Sequence, residues 1–175
     1  TFLVSTNRGC SGDDYKRLTQ ALNRHSGTRI TTNIATGDIS QDEAFGLIDS
    51  WKAIRNNKTG EMISVEVTIS EWLFNAVRAF EILTINPNYF RLRKPLARRL
   101  YEIARKHCGT EKAEWPMYLA PLKEKCGSRS SIKEFRRMVK AVEADGSLPD
   151  YRIEVLSDDR VMFYSKKFKA KVAQK

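Results

Sequence analysis

Between Tyr89 and Gly109 the run YFRLRKPLARRLYEIARKHCG sets Leu96, Leu100 and Ile103 at helical spacing and carries seven Arg or Lys side chains. Apolar residues at that spacing demand a helix with one buried stripe, so the cations crowd what is left of its surface. Pro95 suits the first helical turn, where its missing N–H would have no partner, and Gly109 stops the element. Upstream, Asn86-Pro87-Asn88 discourages helix continuation and marks a boundary. The charge changes at the same point. Residues 86–175 hold 22 Lys+Arg against 11 Asp+Glu, whereas residues 1–85 hold 9 against 10. The whole net charge of +10 therefore lies in the C-terminal half. A compact basic unit beside a neutral one is the footprint expected of nucleic-acid binding, because neutralised phosphates release their counterions.

The neutral half reads as mixed α and β. Ser11 with Asp13 and Asp14 opens a helix in which Tyr15, Leu18 and Leu22 recur at helical spacing, and Gly27 ends it. Thr28 to Ile34 is β-branched and alternating, which predicts a strand, with Thr36 to Asp42 as a turn or loop. Phe45 to Ile54 suits a strand, although Ser40 and Glu43 also have capping-box spacing. Residues 56–60 form a hairpin-like turn, and Met62 to Ile69 returns as a strand. Ser70 caps a helix to about Ile82, with Trp72, Leu73, Ala76, Val77 and Phe80 expected on its buried side. Thr1-Phe2-Leu3-Val4 opens as though in mid-element, so residues before Thr1 are expected.

The basic half continues with a short helix, Met117 to Lys125, and a turn at residues 126–130. Ser131 and Glu134 have the spacing of a capping box, and the helix they open reaches Ala144 before Gly146 and Pro149 break it. Tyr151 to Leu156 and Arg160 to Tyr164 alternate as a two-strand ribbon around Ser157-Asp158-Asp159. Helix, helix, turn, helix, ribbon is the order of a winged helix. We read an α+β chain of two units: 1–85, and a basic 86–175.

The helix from Ser131 to Ala144 divides cleanly. Ile132, Phe135, Val139 and Val142 form an inward stripe, and Lys133, Arg136, Arg137 and Lys140 a basic one opposite. In a helix-turn-helix the second helix enters the major groove by its N-terminal residues. Arg129, Ser130, Lys133 and Arg137 are therefore the base-contact candidates, since Arg bonds guanine bidentately. Arg136 and Lys140 are expected on phosphates. Arg98 and Arg105 share one face of the helix from Pro95, beside Arg99, and are expected to flank the backbone; Arg160 reaches it from the ribbon. Arg91, Arg93, Lys94 and Lys106 extend that cationic set. For a single helix the competing reading is a plain solvated face, and pairing with Glu102 is expected to occupy some of these arginines. Two aspartates at the ribbon tip are odd beside phosphate.

Other chemistries are poorly served. His107, Cys108 and Cys126 lack metal-ligand spacing, no Gly-rich phosphate loop occurs, and the carboxylates are scattered. No enzyme activity, cofactor or metal is expected. Three cysteines in no framework spacing fit a reducing cytoplasm, and no apolar run approaches the roughly 20 residues of a membrane span.

The run NYFRLRKPLARRLYEIARKHCG resembles the plasmid replication initiator protein A family, of bacterial, alpha-proteobacterial type. The likeness extends to STNRGCSGDDYKRLTQALNRHSGTRITTNI at 5–34, to FGLIDSW and to VTISEWLFNAV, and covers the chain to about Ala144. The layout is similar to iteron-binding plasmid initiators with two winged-helix domains in tandem. That resemblance implies a replication initiator that binds repeated double-stranded origin DNA, helps to melt it, and recruits a host initiator and helicase. It also implies a first domain at 1–85, truncated at its N-terminus, that supports dimerisation and backbone contact. The second domain, 86–175, would read the major groove. The family motif marks no base-contacting residue, so the contact candidates rest on helical geometry alone. A winged-helix transcription regulator fits the same pattern, and a module docking an acidic protein is the alternative from another class.

Overall fold

The structure, a computed structural model, describes residues 2–36, 39–79, 82–109 and 112–166, with side chains except those of 32–43. It is α+β, and the chain divides into two compact units, Thr1–Ile82 and Leu83–Lys175. In the first, α1 (Phe2–Ser5) and α2 (Gly12–Gly27) precede two separate antiparallel hairpins. These are β1 (Arg29–Thr36) with β2 (Ile39–Gly46), and β3 (Ile48–Arg55) with β4 (Met62–Ile69). α3 (Glu71–Arg78) closes the unit. A complete capping box starts α2: Ser11 Oγ accepts from the Asp14 N–H, and the Ser11 N–H donates to the Asp14 carboxylate at 3.0 Å. The Ser11 hydroxyl also donates to Asp14 Oδ2 at 2.6 Å, and that bond, with the one from the Ser11 N–H, holds the Asp14 carboxyl below its usual pKa.

The loop expected over Thr36 to Asp42 is mostly strand, because pairing runs from Arg29↔Gly46 to Thr36↔Ile39 and draws in Ser40, Gln41 and Asp42. The apolar side expected of α3 is not buried either. Trp72 and Val77 are 41% and 40% exposed, Leu73 and Ala76 are half-buried, and Phe80 lies outside the described residues. Trp72 stacks on Phe45 with ring centroids 4.3 Å apart. Buried Ser70 anchors the start of the helix, accepting from the Leu73 N–H while its own N–H donates to the Leu47 carbonyl.

The second unit contains most of the core. A 3-10 turn (Pro87–Arg91) leads into α4 (Pro95–His107), β5 (Glu114–Tyr118), α5 (Leu119–Lys125), α6 (Ile132–Asp145), β6 (Tyr151–Val155) and β7 (Arg160–Ser165). The strands form one antiparallel sheet in the order β5-β7-β6. Leu100, Tyr101, Leu119, Leu122, Phe135, Val139, Val161 and Phe163 are almost completely buried in one cluster. β5 was not anticipated, and the helix expected from Met117 begins only at Leu119. Pro116 is tolerated in β5 because this is an edge strand, where its missing N–H costs no ladder bond. Gly146, at φ 59°, ends α6 with its N–H on the Val142 and Glu143 carbonyls.

The inward stripe of α6 is three residues deep. Phe135, Val139 and Val142 are buried, whereas Ile132 is 42% exposed at the first turn. Phe135→Ala should cost about 3–5 kcal/mol of stability, and Ile132→Ala less than about 1 kcal/mol. Denaturant unfolding of the two variants checks the contrast.

Candidate nucleic-acid interface

The approach to α6 is a tight turn. The Gly127 N–H donates to the Glu124 carbonyl and the Ser128 N–H to the Lys123 carbonyl, with Gly127 at φ 65° where a side chain would be strained. Ser130 is half-buried, its hydroxyl 2.9 Å from that of Ser128, so it belongs to the turn. Ser131 Oγ accepts from the Glu134 N–H, but the reciprocal half of the expected capping box is missing. The Glu134 carboxylate instead takes Arg137, with Nε at 2.9 Å and Nη2 at 2.6 Å. The Arg137 hydrogen bond holds the Glu134 carboxyl below its ordinary pKa, and Glu134 raises that of Arg137. Both groups remain in solvent, so the pair adds little stability and is readily exchanged for another anion.

Lys133, Arg137 and Lys140 follow one another by four and three residues and form an exposed stripe. Arg129 is exposed just ahead of them. Among the described residues Arg129, Lys133 and Lys140 have no side-chain hydrogen bond or ion pair. Arg136 does. Its Nη2 is paired with Asp159 Oδ1 in the β6–β7 turn, and its Nε is buried without a partner. Arg160 donates from Nε to Asp158 Oδ2 at 2.6 Å. Both tip aspartates are thus neutralised by neighbouring arginines, which removes the oddity of an acidic tip.

On α4 the arginines are partly committed. Arg98 Nε donates to the Leu92 carbonyl at 2.7 Å, and Arg105 Nε to the Thr84 carbonyl at 2.9 Å. Arg99 Nε donates to the Lys125 carbonyl and its Nη1 to Glu102, each at 2.9 Å. Each stitches a neighbouring segment to the helix, Arg105 also hydrogen-bonding Tyr151, and a guanidinium has five donors in all. Arg91, Arg93, Lys94 and Lys106 are exposed, with no side-chain partner among the described residues. The expected pairing with Glu102 falls on Arg99, three residues before it, whereas the backbone carbonyls that hold Arg98 and Arg105 had no signal in the spacing.

The sulfur and imidazole groups have structural settings. His107 stacks on Trp115 with centroids 3.8 Å apart; burial, with Lys106, Lys125 and Lys112 nearby, pushes its pKa down. Cys108 is buried with its thiol toward the Phe163 carbonyl. Burial pushes the thiols of Cys108 and Cys126 up to about 11. Among the described residues no group of three or more His, Cys, Asp or Glu side chains is placed to hold a metal ion. No helix there is long and apolar enough to cross a membrane.

Comparison with known proteins adds the family. Residues 1–153 match the profile of the family described as Replication initiator protein A, and the chain belongs to it. A protein of Wigglesworthia glossinidia brevipalpis described as "Putative replication protein" is 40% identical over 169 residues, covering 95% of this chain. The chain spans 61% of that relative's length. Crystal structures of domains 2–3 of RctB are similar in fold. One matches at TM-score 0.64 and 10% identity over 97% of this chain and 74% of the other. The second, a SeMet derivative, matches at TM-score 0.67 and 13% identity, covering 93% and 71%.

At pH 8.5 exposed Cys10 should react quickly with a thiol reagent, half-buried Cys126 more slowly, and buried Cys108 only after denaturation. A raised folded pKa means that the unfolded thiol loses its proton first. Stability should therefore fall as pH climbs from about 9 toward about 11, as followed by denaturant midpoints.

Proposed function

We propose that this chain is the DNA-binding part of a plasmid replication initiator, built from two tandem winged-helix domains and acting without catalysis in the cytoplasm. The observation that carries the reading is the face of α6. Arg129, Lys133 and Lys140 stand exposed and unpaired after a tight turn, in the half that holds the net positive charge. Membership of the Replication initiator protein A family supports origin DNA as the target.

In this reading Arg129, Lys133 and Arg137 meet base edges in the major groove, Arg137 exchanging Glu134 for the DNA. Lys140, with the free donors of Arg98, Arg99, Arg105 and Arg160, engages phosphates. Ser130 shapes the turn. The first unit supports backbone contact and a homodimer on repeated sites, and a host initiator and helicase are the partners of the assembled complex.

Selection on a random duplex library at about 0.15 M salt, where purely electrostatic binding is weakened, should enrich one motif. With about six phosphates engaged, log K should fall with log salt at a slope of about −5. Binding without enrichment would leave phosphate contact alone, and absence of duplex binding would favour an acidic protein partner.

Lys133→Ala should weaken binding to the enriched motif by about 1–3 kcal/mol, with a smaller loss on random duplex. Titrations on both duplexes measure the difference, and equal losses would make Lys133 a phosphate contact.

A further inference from the structure

We propose that the Arg136–Asp159 pair is a positioning device: it sets the β6–β7 turn against α6, so Asp159 supports sequence readout although its charge opposes phosphate. The inference rests on the DNA-reading role proposed above for α6.

Asp159 joins three elements. Its carboxylate takes Arg136 from α6, and its carbonyl accepts the N–H of Leu119, the first residue of α5, at 2.8 Å. Its own backbone is left-handed, at φ 64°, in the turn between β6 and β7. A non-glycine residue there is uncommon, and Asp and Asn tolerate it best. The neighbouring Asp158 is bound to Arg160, so each tip carboxylate has its own guanidinium.

Arg136 is held from the other side. Its Nε is buried with no hydrogen-bond partner, while its outer end meets Asp159 at the surface, where the two side chains are 39% and 49% exposed. Removing the Asp159 charge would unfasten the β6–β7 turn from α6 and leave the Arg136 guanidinium without its partner, so the turn is free to move relative to the helix. Arg136 occupies the same turns of α6 as Lys133, Arg137 and Lys140. Movement of the β6–β7 turn therefore disturbs the fit of those side chains in any groove that the turn borders, and base readout is far less tolerant of displacement than phosphate contact.

Simple electrostatics predicts the opposite sign. Deleting a carboxylate near DNA removes repulsion, so a purely electrostatic role has Asp159→Asn bind more tightly. Asn suits the left-handed backbone and keeps the shape of the side chain, which limits the change to charge and pairing.

The test titrates the full chain, Asp159→Asn, Arg136→Gln and the double variant against the duplex selected by the unaltered chain and against random duplex, each over a range of salt. Asp159→Asn should lose about tenfold on the selected duplex and keep or gain affinity for random duplex. Arg136→Gln should lose a similar factor with its salt slope unchanged, and the double variant should be no weaker than the weaker single one. Three results would each overturn the proposal. They are tighter or equal binding of Asp159→Asn to the selected duplex, equal loss on both duplexes, or a slope for Arg136→Gln smaller by about 0.9, as for a lost phosphate contact. Failure of the unaltered chain to select any sequence would overturn the functional reading itself and this inference with it.

Discussion

Burial of Phe135, Val139 and Val142 governs the second unit, because the exposed face of α6 is the complement of the buried one. These side chains join Leu100, Leu122, Ile153 and Phe163 in one cluster fed by three helices and the sheet. Each fully buried side chain of this size contributes about 1.5–3 kcal/mol, far more than any exposed ion pair. Rotating the helix to present its cations differently would bring apolar residues into water. The positions of Lys133, Arg137 and Lys140 are thus set by residues that never meet a ligand.

Formal charge and available charge differ on this surface. Arg98, Arg99 and Arg105 all lie on α4 and look alike in the sequence, yet each donates its Nε to a carbonyl of another segment. Arg136 and Arg137 are adjacent, and one is inserted against the hairpin turn while the other rests on Glu134 in solvent. A guanidinium has five donors, so such use need not remove it from DNA binding, but it fixes the direction in which the rest point. Lys133 and Lys140 carry no such record: they are exposed point charges on flexible stems.

Most helices and strands were legible because their periodicities are strong and their caps explicit, as at Ser11, Ser70, Ser131 and Gly146. The errors have common causes. β5 contains Pro116, which argues against a strand until its place at the sheet edge is known. The polar residues Ser40, Gln41 and Asp42 read as loop, and their pairing with β1 comes from a partner strand rather than from their own propensity. Glu134 was expected to complete a cap and took Arg137 instead, a choice between two local partners that spacing does not decide. Trp72 and Val77 show that an amphipathic pattern reports a helix without ensuring that its apolar side is covered within the unit.

What the amino-acid sequence determined by itself was local and compositional: most helices and strands, and the placing of the whole net positive charge after residue 85. These depend on side-chain period, capping geometry and charge counting, which need no distant partner. Tertiary structure decided which cations are free, what neutralises Asp158 and Asp159, and how the hairpin turn is tied to α6. Those outcomes require groups 23 residues apart, such as Arg136 and Asp159, to meet. Only a packed core brings them within bonding distance, and no spacing rule along the chain encodes that meeting.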